Sequence, residues 1–353
     1  MARPTAPTIS DVATRAGVSV ATASRALSGY GRVSPSTVEH VRKIADEIGY
    51  RPNELARAMR VGATRTIGLV IIADFTNAFF DRATKAIVDA ARGRGYQVLI
   101  TNTDEDVDVE VNAIRTLVDK QVDGLIVVPS LTDDYSHLLP ASLGGRPVVL
   151  IDRRVEGVAI TSVTTNDFDG TRSAVHDAID RGHRRLGFLI SAVGVAGHTT
   201  TEPGRMISTV RDRTDGFRAG ARERQVPASD QAWYYCEDEP KASEAAVTEM
   251  LDSQDPPSVI FTSNNDMALA VLKVAGTRGL RIGTDVSLVT VDDSQWAAAI
   301  VPGITVVDRP VQELGQIAVD RLVDEIEMPG HPPENVILPT RLVQRASVRD
   351  LRG

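Results

Sequence analysis

The sequence predicts two unlike parts: a small all-α head built on a helix-turn-helix, and an α/β body of two doubly wound parallel-sheet lobes. Three observations carry this. Residues 8–48 divide into short helical segments with capping residues ahead of them and Gly stops behind them. From Thr66 onward, continuous Val/Ile/Leu runs alternate with helical stretches, the pattern of parallel strands covered on both faces. Charge divides at the same place: residues 1–62 hold nine Lys/Arg against five Asp/Glu, a net of +4, whereas residues 63–353 carry −12. A basic head on an acidic body points to a nucleic-acid module joined to something else.

Composition closes several classes. The 353 residues, 42% hydrophobic and 24% charged, suffice for two or three domains with cores of their own. There is no apolar run of the 18 or more residues a membrane helix needs, so no membrane partner is expected. A single cysteine, Cys236, excludes an intrachain disulfide and every CxxC zinc site, and the six histidines form no HExxH motif. No metal and no cofactor are therefore expected. The opening MARPTAPTISDVATRAG lacks the apolar stretch of a secretory leader, which makes the cytoplasm the expected location.

In the head, Thr8 caps a first helix, with Asp11 at the spacing of a capping box and Val12, Ala13 and Ala16 on its apolar side. Gly17 permits the turn. Ser19 caps a second helix from Val20 to about Leu27, with Ala23 and Leu27 facing inward. Ser34 caps a third, with Pro35 in its first turn, Val38, Val41, Ile44, Ala45 and Ile48 on one face, and Gly49 as its stop.

The ordered motif D-V-A-x-x-A-G-V-S-x-A-T-x-S-R at Asp11 to Arg25, followed by G-Y-R-P-N at Gly49 to Asn53, resembles the head of the lactose repressor (LacI/GalR) family. The resemblance implies that the second helix lies in the major groove. Val20 and Ala21 would meet thymine methyls and Arg25 a guanine edge, while Ser19, Thr22, Ser24 and Tyr30 would hold phosphates; the alternative for Arg25 is a solvated helix charge. Residues 51–62 correspond to the family's hinge helix, which orders on operator DNA and pairs with its mate across a dimer. Met59 stands at the position that wedges into the minor groove, where Leu is the common choice. Thr8, Asn53, Ala56 and Arg60 complete the expected DNA contacts.

In the body, the strand-like runs are TIGLVIIAD (66–74), QVLITNTD (97–104), GLIVVPS (124–130) and PVVLIDR (147–153), then LGFLIS (186–191), AWYYCED (232–238), SVIFTSN (258–264) and SLVTVDD (287–293). Helices are expected near 79–93 and 107–119 in the first series, and near 168–181, 211–224, 241–253 and 266–278 in the second. Neither series has GxxxxGK[ST], a GxGxxG opening a helix, or a GxSxG elbow, which removes the usual signs of nucleotide or hydrolase chemistry.

The family resemblance continues through NAFF (77–80), VDGLIVVPS (122–130), DGTRSAV (169–175), GHRRLGFL (182–189), NDMALAVL (265–272) and ILPTRLVQRAS (337–347). It implies a periplasmic-binding-protein-like body that clamps a small molecule between lobes. The implied divisions are a head at 1–50, a hinge at 51–62 and a body at 63–353. Within the body, a first lobe at about 66–162 and 294–325 faces a second at about 163–293 and 326–353.

Ligands of open α/β sheets sit beyond the carboxyl ends of strands. That rule selects Asp74, Asn77, Phe79, Phe80, Asp152, Asn265, Asp266, Asp292 and Trp296, and the resemblance adds Arg213 as the guanidinium that grips a sugar. Carboxylates, an amide, a guanidinium and aromatic faces suit a carbohydrate. Each has a plainer alternative: Asp152 or Asp292 as a strand-end cap, Phe79 or Phe80 as core, Arg213 in a surface ion pair. Asn265 departs from the family's founding member, which has Asp there, and residues 191–210 form a longer stretch than usual, a lid or a surface loop.

The expected function is thus a homodimeric, effector-controlled transcription repressor on a pseudo-palindromic double-stranded operator, not an enzyme, with assembly beyond the dimer left open. An enzyme of sugar metabolism and a transport-type sugar-binding protein are the competing readings. The helix-turn-helix disfavours both.

Overall fold

The computed structural model describes residues 7–28, 32–51, 63–72, 77–237 and 239–352. The expectations for Tyr30, Asn53, Ala56, Met59, Arg60 and Asp74, and most of the hinge, fall outside these residues. The chain divides into two compact units, Met1–Arg65 and Thr66–Gly353.

In the first unit, helices α1 (Ile9–Ala16), α2 (Val20–Ser28) and α3 (Pro35–Glu47) enclose a core of Val12, Ala13, Ala16, Ala23, Ala26, Val41 and Ala45. The capping box of α1 is complete: the Thr8 hydroxyl accepts from the Asp11 amide, and the Asp11 carboxylate accepts from the Thr8 amide at 2.7 Å. Those bonds hold the Asp11 carboxyl below its ordinary range. Gly17 follows α1 at φ 64°, the left-handed conformation that ends a helix cheaply only without a Cβ. On α2, Ala26 is fully buried beside Ala23, while Leu27 is only half-buried. A small residue is needed there because α2 crosses both neighbours at close range.

The second unit holds two sheets. The first has the order β12-β5-β4-β3-β1-β2, all parallel: β1 (Thr66–Ile71), β2 (Gln97–Asn102), β3 (Gly124–Val127), β4 (Val148–Ile151), β5 (Thr161–Thr165) and β12 (Asn335–Leu338). The second has the order β13-β11-β10-β9-β6-β8-β7: β6 (Leu186–Ser191), β7 (His198–Thr199), β8 (Gln231–Cys236), β9 (Val259–Thr262), β10 (Ser287–Val291), β11 (Thr305–Asp308) and β13 (Arg341–Val343). Its two end strands, β7 and β13, are antiparallel. In each sheet the first strand in sequence lies inside, so the strand order reverses beside β1 and beside β6, and the carboxyl ends there open a crevice.

Helices cover both faces. α4 (Ala78–Gly93), α5 (Val107–Asp119) and α11 (Val311–Glu327) serve the first sheet; α6 (Asp167–Asp180), α7 (Ser208–Glu223), α8 (Pro240–Asp252), α9 (Asn265–Thr277) and the short α10 (Gln295–Ala299) serve the second. Two pairs pack backbone to backbone. A Cβ on Gly315 would lie 2.7 Å from Ala86 Cβ, and one on Gly216 would lie 2.3 Å from the Phe168 carbonyl oxygen. No helix among the described residues is long and apolar enough to cross a membrane.

The chain passes between lobes after β5, after β11 and between β12 and β13. The expected lobe boundaries at 294 and 326 are therefore corrected: residues 294–308 belong to the second lobe, and α11 with β12 returns to the first. Thr305–Asp308 is a parallel strand beside β10 that buries Val306 and Val307, and its short run hides between loops in the sequence. α11 packs Val311, Leu314, Ala318 and Leu322 into the first lobe's core.

The C-terminal segment is fastened to the second lobe through His183. Its ring is fully buried, with Nε2 donating to the Arg349 carbonyl at 3.2 Å and Nδ1 accepting from the Ser258 hydroxyl at 2.8 Å. Burial, with the nearby Arg349, Arg181 and Arg184, pushes this imidazole from 6.5 down to about 4. The unfolded chain thus takes up the proton near pH 6.5 and the folded chain only near 4, so His183's contribution is complete above pH 6.5 and is withdrawn as pH falls toward 4. That gap corresponds to about 3 kcal/mol. Urea titrations should show His183→Gln losing less of its stability than the parent between these two pH values; equal losses would remove His183 from the acid response.

Candidate ligand cleft and nucleic-acid interface

The carboxyl ends of β1, β4, β6 and β10 open on a cleft of about 1070 Å³ walled by both lobes. At its floor lies Arg309, one residue past β11. Its Nε and Nη2 donate to the two carboxylate oxygens of Asp292, each at 2.7 Å, and Nη1 donates to Asp152 at 2.6 Å. The guanidinium lies over the Phe79 ring, 3.7 Å from the centroid. All three charged side chains are buried, with 3–5% of each residue exposed. Burial opposes a charge on Arg309, yet Asp292, Asp152 and then Asp167 outweigh it and raise its pKa further. Both carboxylates are aimed by the same backbone device: Asp152 and Asp292 follow their strands at φ 65° and 72°, a left-handed turn that Asp adopts more readily than most residues.

Arg213 sits on α7, also buried, and donates from Nε to Asp167 at 2.7 Å and from Nη1 to the Ser263 carbonyl at 2.8 Å. Its Nη2 has no protein partner among the described residues. Asp167 is deeply buried; burial raises its pKa, but Arg213, Arg309 and the Thr165 hydroxyl prevail and hold it ionised below the ordinary range. The pair is thus internal, and the alternative of a surface ion pair is corrected by the close approach of α6 and α7 at Gly216.

The cleft wall gathers Asn77, Phe79, Phe80, Asp152, Arg213, Asp266 and Asp292. Asn77 also caps α4, its carboxamide oxygen accepting from the Phe79 and Phe80 amides. Phe79 and Phe80, edge to face at 5.0 Å, line the cleft and belong to the first lobe's core at once. Asn265 and Trp296 do not reach the wall. The Asn265 amide donates to the Asp292 carbonyl at 3.3 Å, supporting the turn after β10, and Trp296 packs on the second lobe's core because Ser294 caps α10 and turns it that way.

Sequence reasoning passed over Arg309, Arg153 and Asp167. Arg153 pairs with Glu105 and donates to the Pro129 carbonyl at 3.0 Å. Asp-Arg follows β4 and straddles the end of β11, but the same dipeptide recurs at Asp81, Asp212 and Asp320, so no local pattern marks Arg153 or Arg309. The long stretch 191–210 is a wall of the cleft: residues 191–196 line it, and β7 ties the segment to the sheet edge. Arg205 reaches Asp133 of the first lobe at 3.1 Å, and Arg154 of the first lobe holds Asp212 of α7 through two bonds of 2.5 and 2.7 Å.

In the head, the Ser19 hydroxyl accepts from the Thr22 amide at 3.1 Å and starts α2, leaving Val20, Ala21 and Arg25 exposed on its outer face. Arg25 Nε donates to the Ala21 carbonyl at 3.2 Å, so the guanidinium lies along its own helix. Ser24 and Thr22 are half-buried on the flanks. The Thr8 hydroxyl donates to the Asp11 carboxylate at 2.8 Å, within the cap of α1.

The profile of the lacI family of bacterial regulatory proteins matches residues 8–53, and that of a periplasmic binding protein-like domain matches residues 175–348. Catabolite control protein A of Priestia megaterium is 31% identical over 343 residues, spanning 97% of this chain and 99% of that one. This chain belongs to the lacI family. As a lacI-family protein it is a DNA-binding transcriptional regulator. Among solved structures, the lac repressor dimer bound to operator and an anti-inducer shares the fold, with a TM-score of 0.84 at 24% identity over 98% of this chain and 100% of that one. A complex described as the transcriptional regulator CelR with cellobiose is 28% identical, with a TM-score of 0.68 over 97% of this chain and 99% of that chain.

Replacing Arg309 with Met leaves Asp292 buried without its cation and Asp152 with Arg153 alone, 3.7 Å away. Chemical denaturation of this lacI-family regulator should show a loss of about 3–5 kcal/mol, the cost of breaking a buried pair on one side. A loss below about 1 kcal/mol would mean that the two carboxylates find other partners or water.

Proposed function

We propose that this regulator is a repressor that binds a pseudo-palindromic double-stranded operator as a homodimer, and that a carbohydrate effector in the interlobe cleft controls it in the cytoplasm. It performs no catalysis. The observation that carries the effector reading is the floor of the cleft. Carboxylates from both lobes converge on Arg309 over an aromatic face, and the Arg213 fork keeps one nitrogen for a ligand. With the Phe79 face taken by Arg309, ring C–H groups pack on the edge of Phe80 while hydroxyls bond the charged groups at the rim, an arrangement suited to a polyol. The similarity to a cellobiose-bound regulator supports the same class.

The working divisions are residues 1–50 as head, 51–62 as hinge and 63–353 as body. Asp152 and Asp292 come from different lobes, so a ligand touching both biases the angle between lobes, and that angle decides whether two hinge segments can pair on DNA. Exposed Leu99 and Ile100 on the edge strand β2 offer apolar area for a second copy. A thermal-shift screen of the full chain against a sugar library, followed by operator binding with each hit, tests the reading, because a ligand of the native state raises Tm. No hit, or hits that leave operator binding unchanged, would overturn it.

Arg213→Lys keeps a cation beside Asp167 but removes the second η nitrogen. Calorimetry should show effector affinity falling about tenfold or more, on the order of 1.4 kcal/mol, while effector-free operator binding stays near that of the parent. Affinity within twofold would move the site elsewhere.

Arg25→Ala should cost about 1–3 kcal/mol on the true operator and much less on random DNA, because a base-edge contact is lost along with the charge. Gel-shift titrations on both DNAs decide it; equal losses would reduce Arg25 to a phosphate contact.

A further inference from the structure

The charge of the cleft wall says more about the ligand than its shape does. Among the described residues, eight Asp or Glu and four Lys or Arg line it. Every one of those cations is already held by a carboxylate: Arg309 by Asp152 and Asp292, Arg153 by Glu105, Arg213 by Asp167, and Lys273 by Glu244 at 2.6 Å. Asp167 lies outside the wall, so the charge of Arg213 is cancelled from behind. Three lining carboxylates, Asp104, Glu237 and Glu239, form no salt bridge among the described residues. Asp104 accepts only from the neighbouring Asn102 side chain, at 2.5 Å, and Glu237 only from the Gly197 amide, at 3.4 Å. They come from opposite lobes, Asp104 at the exit of β2 and the two Glu after β8, so like charge meets a ligand from both walls.

An anionic ligand would find no cation whose charge is not already shared with a carboxylate, only the open Nη2 of Arg213 and the exposed Lys273 being in reach, and it would enter a negative field that the walls of a cleft concentrate. A hydroxyl or an ammonium group donates to the same carboxylates directly. We propose that the cleft discriminates by charge: its ligand is a carbohydrate without an anionic group, uncharged or amino-bearing, and Asp104, Glu237 and Glu239 turn phosphorylated and carboxylated sugars away. This rests on the carbohydrate reading of the cleft.

Calorimetry of the full chain with matched derivatives tests it: glucose, galactose, ribose and cellobiose, each beside its amino form and beside the O-methyl ether and the phosphate ester of one and the same hydroxyl. For each sugar that binds, the phosphate ester should bind at least tenfold more weakly than the methyl ether, which controls for bulk. Raising NaCl from about 0.05 to about 0.5 M should narrow that gap, since screening weakens repulsion between solvent-accessible charges. The Glu237→Gln/Glu239→Gln variant should narrow it at least threefold; both side chains are exposed, so the fold is not at stake. A phosphate ester that binds as well as its ether, or a gap that neither salt nor the variant moves, overturns the charge filter while leaving a carbohydrate site intact. No binding by any member of the panel overturns the carbohydrate reading and this inference together.

Discussion

One buried guanidinium organises the body of this protein. Arg309 joins the end of β4 to the end of β10 through Asp152 and Asp292, and it does so from the strand that leads the chain back to the first lobe. Taking three charges out of water costs several kcal/mol for each unless the geometry satisfies them. Here a two-pronged contact to one carboxylate, a third bond to the other and the face of Phe79 meet that demand. Any rotation of one lobe against the other must stretch the Asp152 bond or the Asp292 pair. The lobe angle is therefore read at the cleft floor, in the place where a ligand would lie.

Around this floor the support is layered by burial. α6 and α7 approach closely enough at Gly216 to set Asp167 behind Arg213, and α4 and α11 do so at Gly315, which holds Phe79 and Phe80 against the first lobe's core. Nearer solvent, Arg205 to Asp133 and Arg154 to Asp212 span the lobes. The exposed Arg205–Asp133 pair contributes at most about 1 kcal/mol and weakens with salt, while the half-buried, two-pronged Arg154–Asp212 pair is screened less, and both adjust the closure that the buried cluster defines.

The head obeys simpler physics. A reciprocal cap, a left-handed Gly and small alanines at the crossing of α2 build three short helices that leave Val20, Ala21 and Arg25 exposed in a row. Charge separates the duties further: the head carries a net positive charge, while each basic side chain that lines the cleft is paired with a carboxylate. A surface that binds a polyanion and a cleft that carries excess negative charge are thus kept in different units of the chain.

Local signals made the head legible, because capping and turns depend on residues three or four apart: Thr8 with Asp11, Ser19 with Thr22, Ser34 with Thr37. The strand runs showed the α/β class and placed Asn77, Asp152 and Asp292 at a cleft, since a strand's exit is a local property. The sequence by itself could not say where the chain crosses between lobes, because the four-residue β11 is recognisable as a strand only through its pairing with β10. For the same reason Arg309 was invisible: its partners are 157 and 17 residues away, and only the closed packing of two sheets brings them within a hydrogen bond. Asn265 and Trp296 failed in the opposite sense, standing after the right strands but turned away by tertiary contacts. Fold class, head and family were written in local pattern; which side chains face the ligand was decided by long-range pairing of charges that burial alone makes obligatory.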